Sequence, residues 1–301
     1  MSVDRISGMI TALITPLRRD LSLDVDGLEA LTKFQVEKGI SNFFVMGTYG
    51  EGVALPLRTR KEMIFKLADV LPSKSFAIIH VGSADPEAAL ELAKLARDAG
   101  FKAVSSLGPI YHKPTVKALA SFYDYLSKAD VDLLVYNNKG RQGYNISPDI
   151  FEAIAREVPA VSGIKDTSYD VEQLQEYVER FSSRYFVAGA GDSLIYHTFA
   201  IGAAAHICGI SNAFPELPSK LYQSFKEGRY ADALAIQSKI NKIRKVLKRF
   251  PVESPEVVRE VLKLRGIDVG ESPFYIGGLD EKQRSELKKA IDPILEEMEK
   301  G

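Results

Sequence analysis

The chain has a single cysteine, Cys208, among 301 residues. One thiol excludes an internal disulfide and fits a reducing compartment. Its apolar neighbours Ile207 and Ile210 mark it as a small core residue rather than a nucleophile. Net charge is also scarce: 39 Lys and Arg against 40 Asp and Glu leave -1. That balance gives no electrostatic reason to expect nucleic acid or an anionic membrane as partner. No uninterrupted apolar stretch approaches the ~20 residues a membrane helix needs. Residues 1–8 hold no apolar core flanked by basic residues, so no secretory signal is visible. The four histidines, His80, His112, His197 and His206, offer no ligand spacing, so neither a metal nor a cofactor is expected. What these absences leave is a cytoplasmic globular protein, and the 46% apolar fraction is ordinary for one.

Length alone leaves one large domain or two small ones open. Short apolar runs recur along the chain, each followed by an amphipathic stretch. Residues 9–15, 42–46, 76–81 and 103–107 predict four strands, and 132–136, 161–165, 185–188 and 204–208 predict four more. Between them, 25–39, 58–71, 86–100, 116–129 and 148–157 follow a helical pattern. Asp85 before Pro86, and Ser147 before Pro148, are helix N-caps followed by proline at the first helical position. Gly39 and Gly100 close helices after Lys38 and Ala99.

Eight strand-helix alternations mean parallel pairing with right-handed crossovers. An open doubly wound sheet and a closed barrel both satisfy that pattern. The count of eight, with no glycine-rich dinucleotide fingerprint after the first strand, favours an α/β fold of the (β/α)8 TIM-barrel kind. From about Glu227 the strand signal stops, and 229–249, 255–265 and 280–300 read as three helices. The expected organisation is a barrel over 1–226 with a catalytic mouth, and a C-terminal helical extension over 227–301 packed on it. In such a barrel, residues at the carboxyl ends of strands face the mouth.

Four polar clusters fall there. The turn at 47–52 (Gly-Thr-Tyr-Gly-Glu-Gly) is either a plain strand-helix turn or a set of inward amides that binds a carboxylate. The loop at 108–114 carries Tyr111, His112 and Lys113. The turn at 136–143 packs the Tyr136 phenol with Lys139 and Arg141. Lys165 ends the sixth strand, followed at once by Asp166, Thr167 and Ser168. A lysine there either snorkels its amine to water or, desolvated, attacks a ketone as a free amine and forms a Schiff base. On its own segment the first is the plainer reading, and its company is what favours the second. Schiff-base chemistry needs a proton shuttle and a site for a keto-acid carboxylate. Tyr136 is such a shuttle only if a relay or a neighbouring positive charge helps its phenol; alone it reads as a packing residue.

These residues resemble the dihydrodipicolinate synthase/N-acetylneuraminate lyase family of class I, pyruvate-handling aldolases, with 2-keto-3-deoxygluconate aldolase-like members among them. The resemblance covers essentially the whole chain. It opens at 8–16 (Gly-Met-Ile-Thr-Ala-Leu-Ile-Thr-Pro) and continues through the Gly-Thr-Xaa-Gly-Glu turn at Gly47 and the Pro-Xaa-Tyr loop at Pro109. Tyr136 with Asn137, the Gly-Ile-Lys-Asp run at 163–166, Gly191 with Asp192, Ile207 and Asn212 complete it. The resemblance implies Lys165 as the Schiff-base lysine and Tyr136 as the proton shuttle. It also implies Thr48 as the hydroxyl linking Tyr136 to a second tyrosine, Tyr111, which reaches into a neighbouring subunit's site. The amides of Thr48 and Tyr49 would hold the pyruvyl carboxylate, and Gly191 and Ile207 would line the pocket with backbone. Arg141 falls where the synthases place an arginine for a second carboxylate. A homotetramer built as a dimer of dimers is implied as well.

Two departures bear on the substrate. Tyr49 stands where most of the family has threonine or serine. Lys139 replaces a proline, and Gln142 a threonine or serine, in the turn that carries Arg141. These changes favour a 2-keto-3-deoxy sugar acid, cleaved to pyruvate and a hydroxyaldehyde, with Lys113, Lys139 or Arg141 meeting its polar groups. Arg141 favours the alternative, a 4-hydroxy-tetrahydrodipicolinate synthase that condenses pyruvate with aspartate semialdehyde. A hypothesis of another class is a catalytically silent barrel that binds a keto acid and forms no covalent adduct. Asp166 and Asp170 read as helix-start carboxylates, Glu51 as support for its turn, and the Phe43-Phe44 pair as core. The basic run from Lys239 to Lys248 reads as a solvated helix face over Ile240, Ile243 and Leu247.

Overall fold

Eight parallel strands follow one another around a closed ring in the computed structural model, which describes residues 6–299. Residues 1–5, within the stretch read for a secretory signal, and Lys300, the last residue read into the third C-terminal helix, lie outside the described residues. The strands are β1 (Gly8–Leu13), β2 (Asn42–Val45), β3 (Phe76–His80), β4 (Ala103–Leu107), β5 (Asp132–Asn137), β6 (Val161–Asp166), β7 (Phe186–Ala190) and β8 (Ala205–Cys208). Each pairs with the next, and β8 returns to β1 through Gly8 to Thr11. All eight fall within a residue or two of the runs read from the sequence.

Helices α1 (Val25–Glu37), α2 (Leu57–Val70), α3 (Pro86–Asp98), α4 (Val116–Ser127), α5 (Lys139–Gln142), α6 (Pro148–Glu157), α7 (Val171–Phe181), α8 (Ile195–Ala200) and α9 (Glu216–Lys226) alternate with the strands. The extension is α10 (Tyr230–Leu247), α11 (Ser254–Leu264) and α12 (Glu281–Glu299). Local chemistry sets the helix ends. Asp85 accepts the Glu87 amide at 2.9 Å, Ser147 accepts the Ile150 amide at 3.4 Å, and Pro86 and Pro148 follow them. Gly39 and Gly100 both sit at φ +93° just past their helices, where a side chain would be strained.

Period-two alternation sorts the strand residues into two cores. Ile10, Ala12, Phe44, Ile78, Leu134, Tyr136, Phe186, Ala188 and Ile207 fill the barrel interior, while Met9, Leu13, Phe43, Val45, Val135 and Ile164 pack outward under the helices. Phe43 and Phe44 are thus both core, on opposite faces. Asn212 ties the closure: its side-chain amide donates to Ala12 O and Gly209 O at 2.7 and 2.8 Å, and its oxygen accepts the Ile14 amide at 3.0 Å. No helix among the described residues is long and apolar enough to cross a membrane.

Candidate active site

Lys165 and Tyr136 are direct register partners on β6 and β5, so both side chains point into the barrel. That register depends on a bulge. Leu133 pairs with Val161, but Leu134 pairs with Gly163, which leaves Ser162 as an extra residue on β6. Without it Tyr136 would face Ile164, and Lys165 would point out toward the helices. Gly163 makes the inward turn possible, because a Cβ there would lie 2.3 Å from Phe186 O. Lys165 is 3% exposed, and its Nζ stands 3.7 Å from the Phe44 ring centroid and 4.0 Å from that of Tyr136. Burial lowers its pKa, opposed by the charge of and a hydrogen bond with Tyr136, and so enriches the free amine.

The phenol is tuned the other way. Burial raises the Tyr136 pKa, but the Lys165 charge and hydrogen bonds to the oxygen outweigh it, and the net shift is downward. Asn138 Nδ2 donates to the Tyr136 oxygen at 2.9 Å, and Thr48 Oγ1 lies 3.2 Å from it. Here is the neighbouring charge and relay that a phenol needs for proton transfer near neutral pH. His80, neutral and buried, sets its ring edge-on to Tyr136 at 5.6 Å and holds Met46 O through Nδ1 at 3.1 Å. On the outward face Asn137 Nδ2 donates to Asp166 Oδ1 at 2.7 Å, with Ser168 and Gln173 also bonded to that carboxylate. Asp166 is therefore a buried strand-end group bracing β5 against β6, not a helix-start carboxylate. Asp170 does cap α7, accepting the Gln173 amide at 3.1 Å.

The turn after β2 is held from three sides. Thr15 Oγ1 donates to Gly50 O at 2.7 Å. A Cβ on Gly52 would lie 1.9 Å from Met46 O, so only glycine fits. Glu51, in the left-handed region at φ +56°, accepts Arg259 Nη2 at 2.7 Å. Arg259 on α11 also donates to Val269 O at 2.9 Å and stands 3.5 Å from Glu256 Oε2. Two carboxylates thus share one guanidinium, all deeply buried. Burial and the facing Glu256 push Glu51 up to about 9, so its carboxyl keeps its proton near neutral pH. Glu51 supports its turn, as expected, and does so as an anchor for the helical extension. Among the described residues, the amides of Thr48 and Tyr49 donate to no acceptor of this chain.

From Lys165 a cavity of about 260 Å³ leads outward past Thr48, Tyr49, Tyr136, Gly191 and Ile207 to Arg141, Tyr169, Asp192, Arg244 and Glu253. Tyr49 stacks its ring over Gly209, where a Cβ would lie 2.1 Å from it. Gly191, at φ +103°, is covered by the Tyr169 ring in the same way. Asp192 Oδ1 accepts the Gly209 amide at 2.8 Å. Residues 139–142 wind into the single turn α5, and Arg141 there is gripped by Glu253 at 2.6 and 3.3 Å. Lys139 and Lys113 are exposed and line no part of this cavity. Tyr111 is 93% exposed at φ +77°, its ring against His112 rather than near Thr48 of its own chain. A neighbouring cleft of about 270 Å³ runs beside Thr48, His80, Ile110 and Ile276. A groove of about 460 Å³ at the opposite end of the barrel contains none of the groups proposed for chemistry.

Sequence reasoning passed over Asn138, Phe44 as the floor under the amine, Tyr169, Glu253 and Arg244. Asn138 sat in a turn already in view, two residues past Tyr136, and that spacing was its signal. Arg244 belongs to the basic run assigned to a solvated face, but its side chain is only 15% exposed and lines the cavity. The run wraps around the apolar stripe, and Arg244 falls on its buried edge. Cys208 is buried with its thiol pKa pushed well up by burial, as befits a core residue.

Comparison with known proteins gives the chain's relationships. The chain is 30% identical over 288 residues to 4-hydroxy-tetrahydrodipicolinate synthase of Thermotoga neapolitana, covering 94% of this chain and 97% of the relative. It is 28% identical over 287 residues to the enzyme of the same name from Methanoculleus marisnigri, covering 94% and 98%. Its backbone superposes with a TM-score of 0.93 on a catalytic-lysine mutant of Ruminococcus gnavus sialic acid aldolase, at 25% identity over 100% of this chain and 99% of that one. A profile of the dihydrodipicolinate synthetase family matches residues 5–294, and the chain belongs to that family.

Proposed function

We propose that Lys165 forms an imine with pyruvate and that Tyr136, assisted by Thr48 and Asn138, moves the protons. The observation carrying this reading is the buried amine of Lys165 in register with a phenol whose oxygen is held by two hydrogen-bonding side chains. As a family member the chain is a Schiff-base-forming carbon-carbon lyase, an aldolase. The lysine amine adds to C2 of pyruvate, and the carbinolamine loses water to leave a protonated imine. Loss of a C3 proton gives an enamine, whose C3 attacks the aldehyde carbon while the aldehyde oxygen takes up a proton. The open amides of Thr48 and Tyr49 hold the pyruvyl carboxylate, and the backbone at Gly191 and Ile207 lines the pocket beside it.

For the second substrate, the relatives' shared name supports condensation with aspartate semialdehyde ahead of the sugar-acid cleavage favoured by the sequence. Cleavage of a 2-keto-3-deoxy sugar acid keeps one observation in its favour. Glu253 engages Arg141, the side chain that would bind the semialdehyde carboxylate. Tyr111, 93% exposed with its ring against His112, would reach Thr48 of a second copy, which supports a dimer at least and a homotetramer by family resemblance.

Borohydride reduction in the presence of pyruvate, followed by peptide mass spectrometry, should place a lactyl-sized adduct on Lys165. An unmodified Lys165 would refute the imine and favour a non-covalent keto-acid binder. Condensation with aspartate semialdehyde, measured against pyruvate release from 2-keto-3-deoxygluconate, decides between the two substrates.

A further inference from the structure

We propose that Arg244 on α10, rather than Arg141, reads the anionic group of the second substrate. This rests on the pyruvate-imine reading of the same cavity. Arg141 is already satisfied: both of its terminal nitrogens reach Glu253, at 2.6 and 3.3 Å, and the pair is charge-neutral. Arg244 is the opposite case. Its side chain is 15% exposed, yet among the described residues none of its N–H groups donates a hydrogen bond. Among the described residues its ion-pair partner is Asp192, and Nε to Oδ2 is 3.9 Å, too long for a hydrogen bond.

Asp192 is itself committed elsewhere. Its Oδ1 accepts the amides of Gly209 and Ile210 at 2.8 and 3.3 Å, and the Cys208 thiol points to the same oxygen. The guanidinium therefore presents an unfilled planar fork to the cavity, a geometry that matches a carboxylate or phosphate. The phenols of Tyr49 and Tyr169 flank it, and both feel its charge. They make a half-apolar wall in which a charge-assisted hydrogen bond is screened less than at the surface. Lys248, one turn further along and exposed, adds positive field without a fixed fork. With Lys165 at one end and Arg244 at the other, the cavity fits an aldehyde whose far end carries an oxyanion.

The test uses the full-length protein and variants Arg244→Gln and Arg141→Gln. Binding of succinate and of inorganic phosphate is measured by calorimetry, so the readout does not require turnover. Arg244→Gln should weaken the preferred anion about 10- to 100-fold, and Arg141→Gln should change it less than threefold. Which of succinate and phosphate binds wild type more tightly separates a carboxylate from a phosphate acceptor. In turnover, Arg244→Gln should raise KM for an anionic aldehyde by the same factor while KM for pyruvate and for glyceraldehyde stays constant. Equal anion affinity in wild type and Arg244→Gln overturns the assignment, as does a loss confined to Arg141→Gln. Borohydride trapping on Lys165 is run in parallel. A missing adduct with intact anion binding would refute the imine reading and leave the Arg244 site standing.

Discussion

The two ends of the cavity are built differently. At the inner end, Lys165, Tyr136 and Phe44 stand on barrel strands, and Asn138 and Thr48 stand one and three residues past strand ends. Backbone pairing on both sides fixes their directions, and the Tyr136 oxygen has its hydrogen bonds in place. At the outer end, Tyr49, Arg141, Tyr169, Arg244 and Glu253 come from turns and from the helical extension. There the charges are half-exposed or unfilled. On the proposed function, bond making falls to the rigid part and the choice of partner to parts that can vary without disturbing the barrel.

Removing the inner amine should have the largest effect. Lys165→Ala should lower turnover by on the order of 10⁴-fold or more and abolish borohydride trapping. Tyr136→Phe, which keeps the ring packing but loses the proton, should cost on the order of 10²- to 10³-fold in kcat while melting near the wild-type temperature. If Tyr136→Phe turned over normally, the protons would move by a route other than this phenol.

The anchor between the two ends comes next. Arg259→Ala leaves Glu51 and Glu256 buried without their cation and should cost about 3–5 kcal/mol in denaturant unfolding. Glu51 has a folded pKa raised to about 9 from an ordinary 4.5. The folded state therefore holds the proton more tightly, and this contribution to stability is complete below pH 4.5. It declines as pH rises through that window and is gone above about pH 9. Glu51→Gln should flatten that decline, and an unchanged slope would place the proton elsewhere. Tyr111→Phe should reduce kcat by about tenfold without removing the Lys165 adduct, if a second copy completes the relay. Smallest of all, Glu253→Gln frees Arg141 but breaks an exposed pair worth about 0–1 kcal/mol. Stability should barely move, while affinity for an anionic aldehyde rises modestly.

Much of the barrel was legible because burial on both faces of a parallel strand writes a continuous apolar run, and proline and glycine mark helix ends. Residues 103–107 and 148–157 were placed to the residue. The inner site was legible for a related reason: a strand end in a barrel is a known position in space. Asp166 was misassigned because a carboxylate beside a helix start and one that braces two strands look alike in one dimension. Arg244 was missed because the basic run from Lys239 to Lys248 turns most of its charges to solvent and only one edge to the cavity. Lys113 and Lys139 share the turns of site residues yet point outward, which spacing alone does not report.

By itself the amino-acid order determined the number of strands, the parallel topology and the candidacy of Lys165, since each follows from local patterning. Tertiary structure decided the rest. The Ser162 bulge sets whether Lys165 faces the barrel or the helices, because one residue of register reverses every side chain on a strand. Closing the ring brought Thr48 and Asn138 to one phenol oxygen. Packing α10 and α11 against the mouth paired Arg141 with Glu253 and left Arg244 open, because a long charged side chain takes whichever partner the neighbouring element brings within reach.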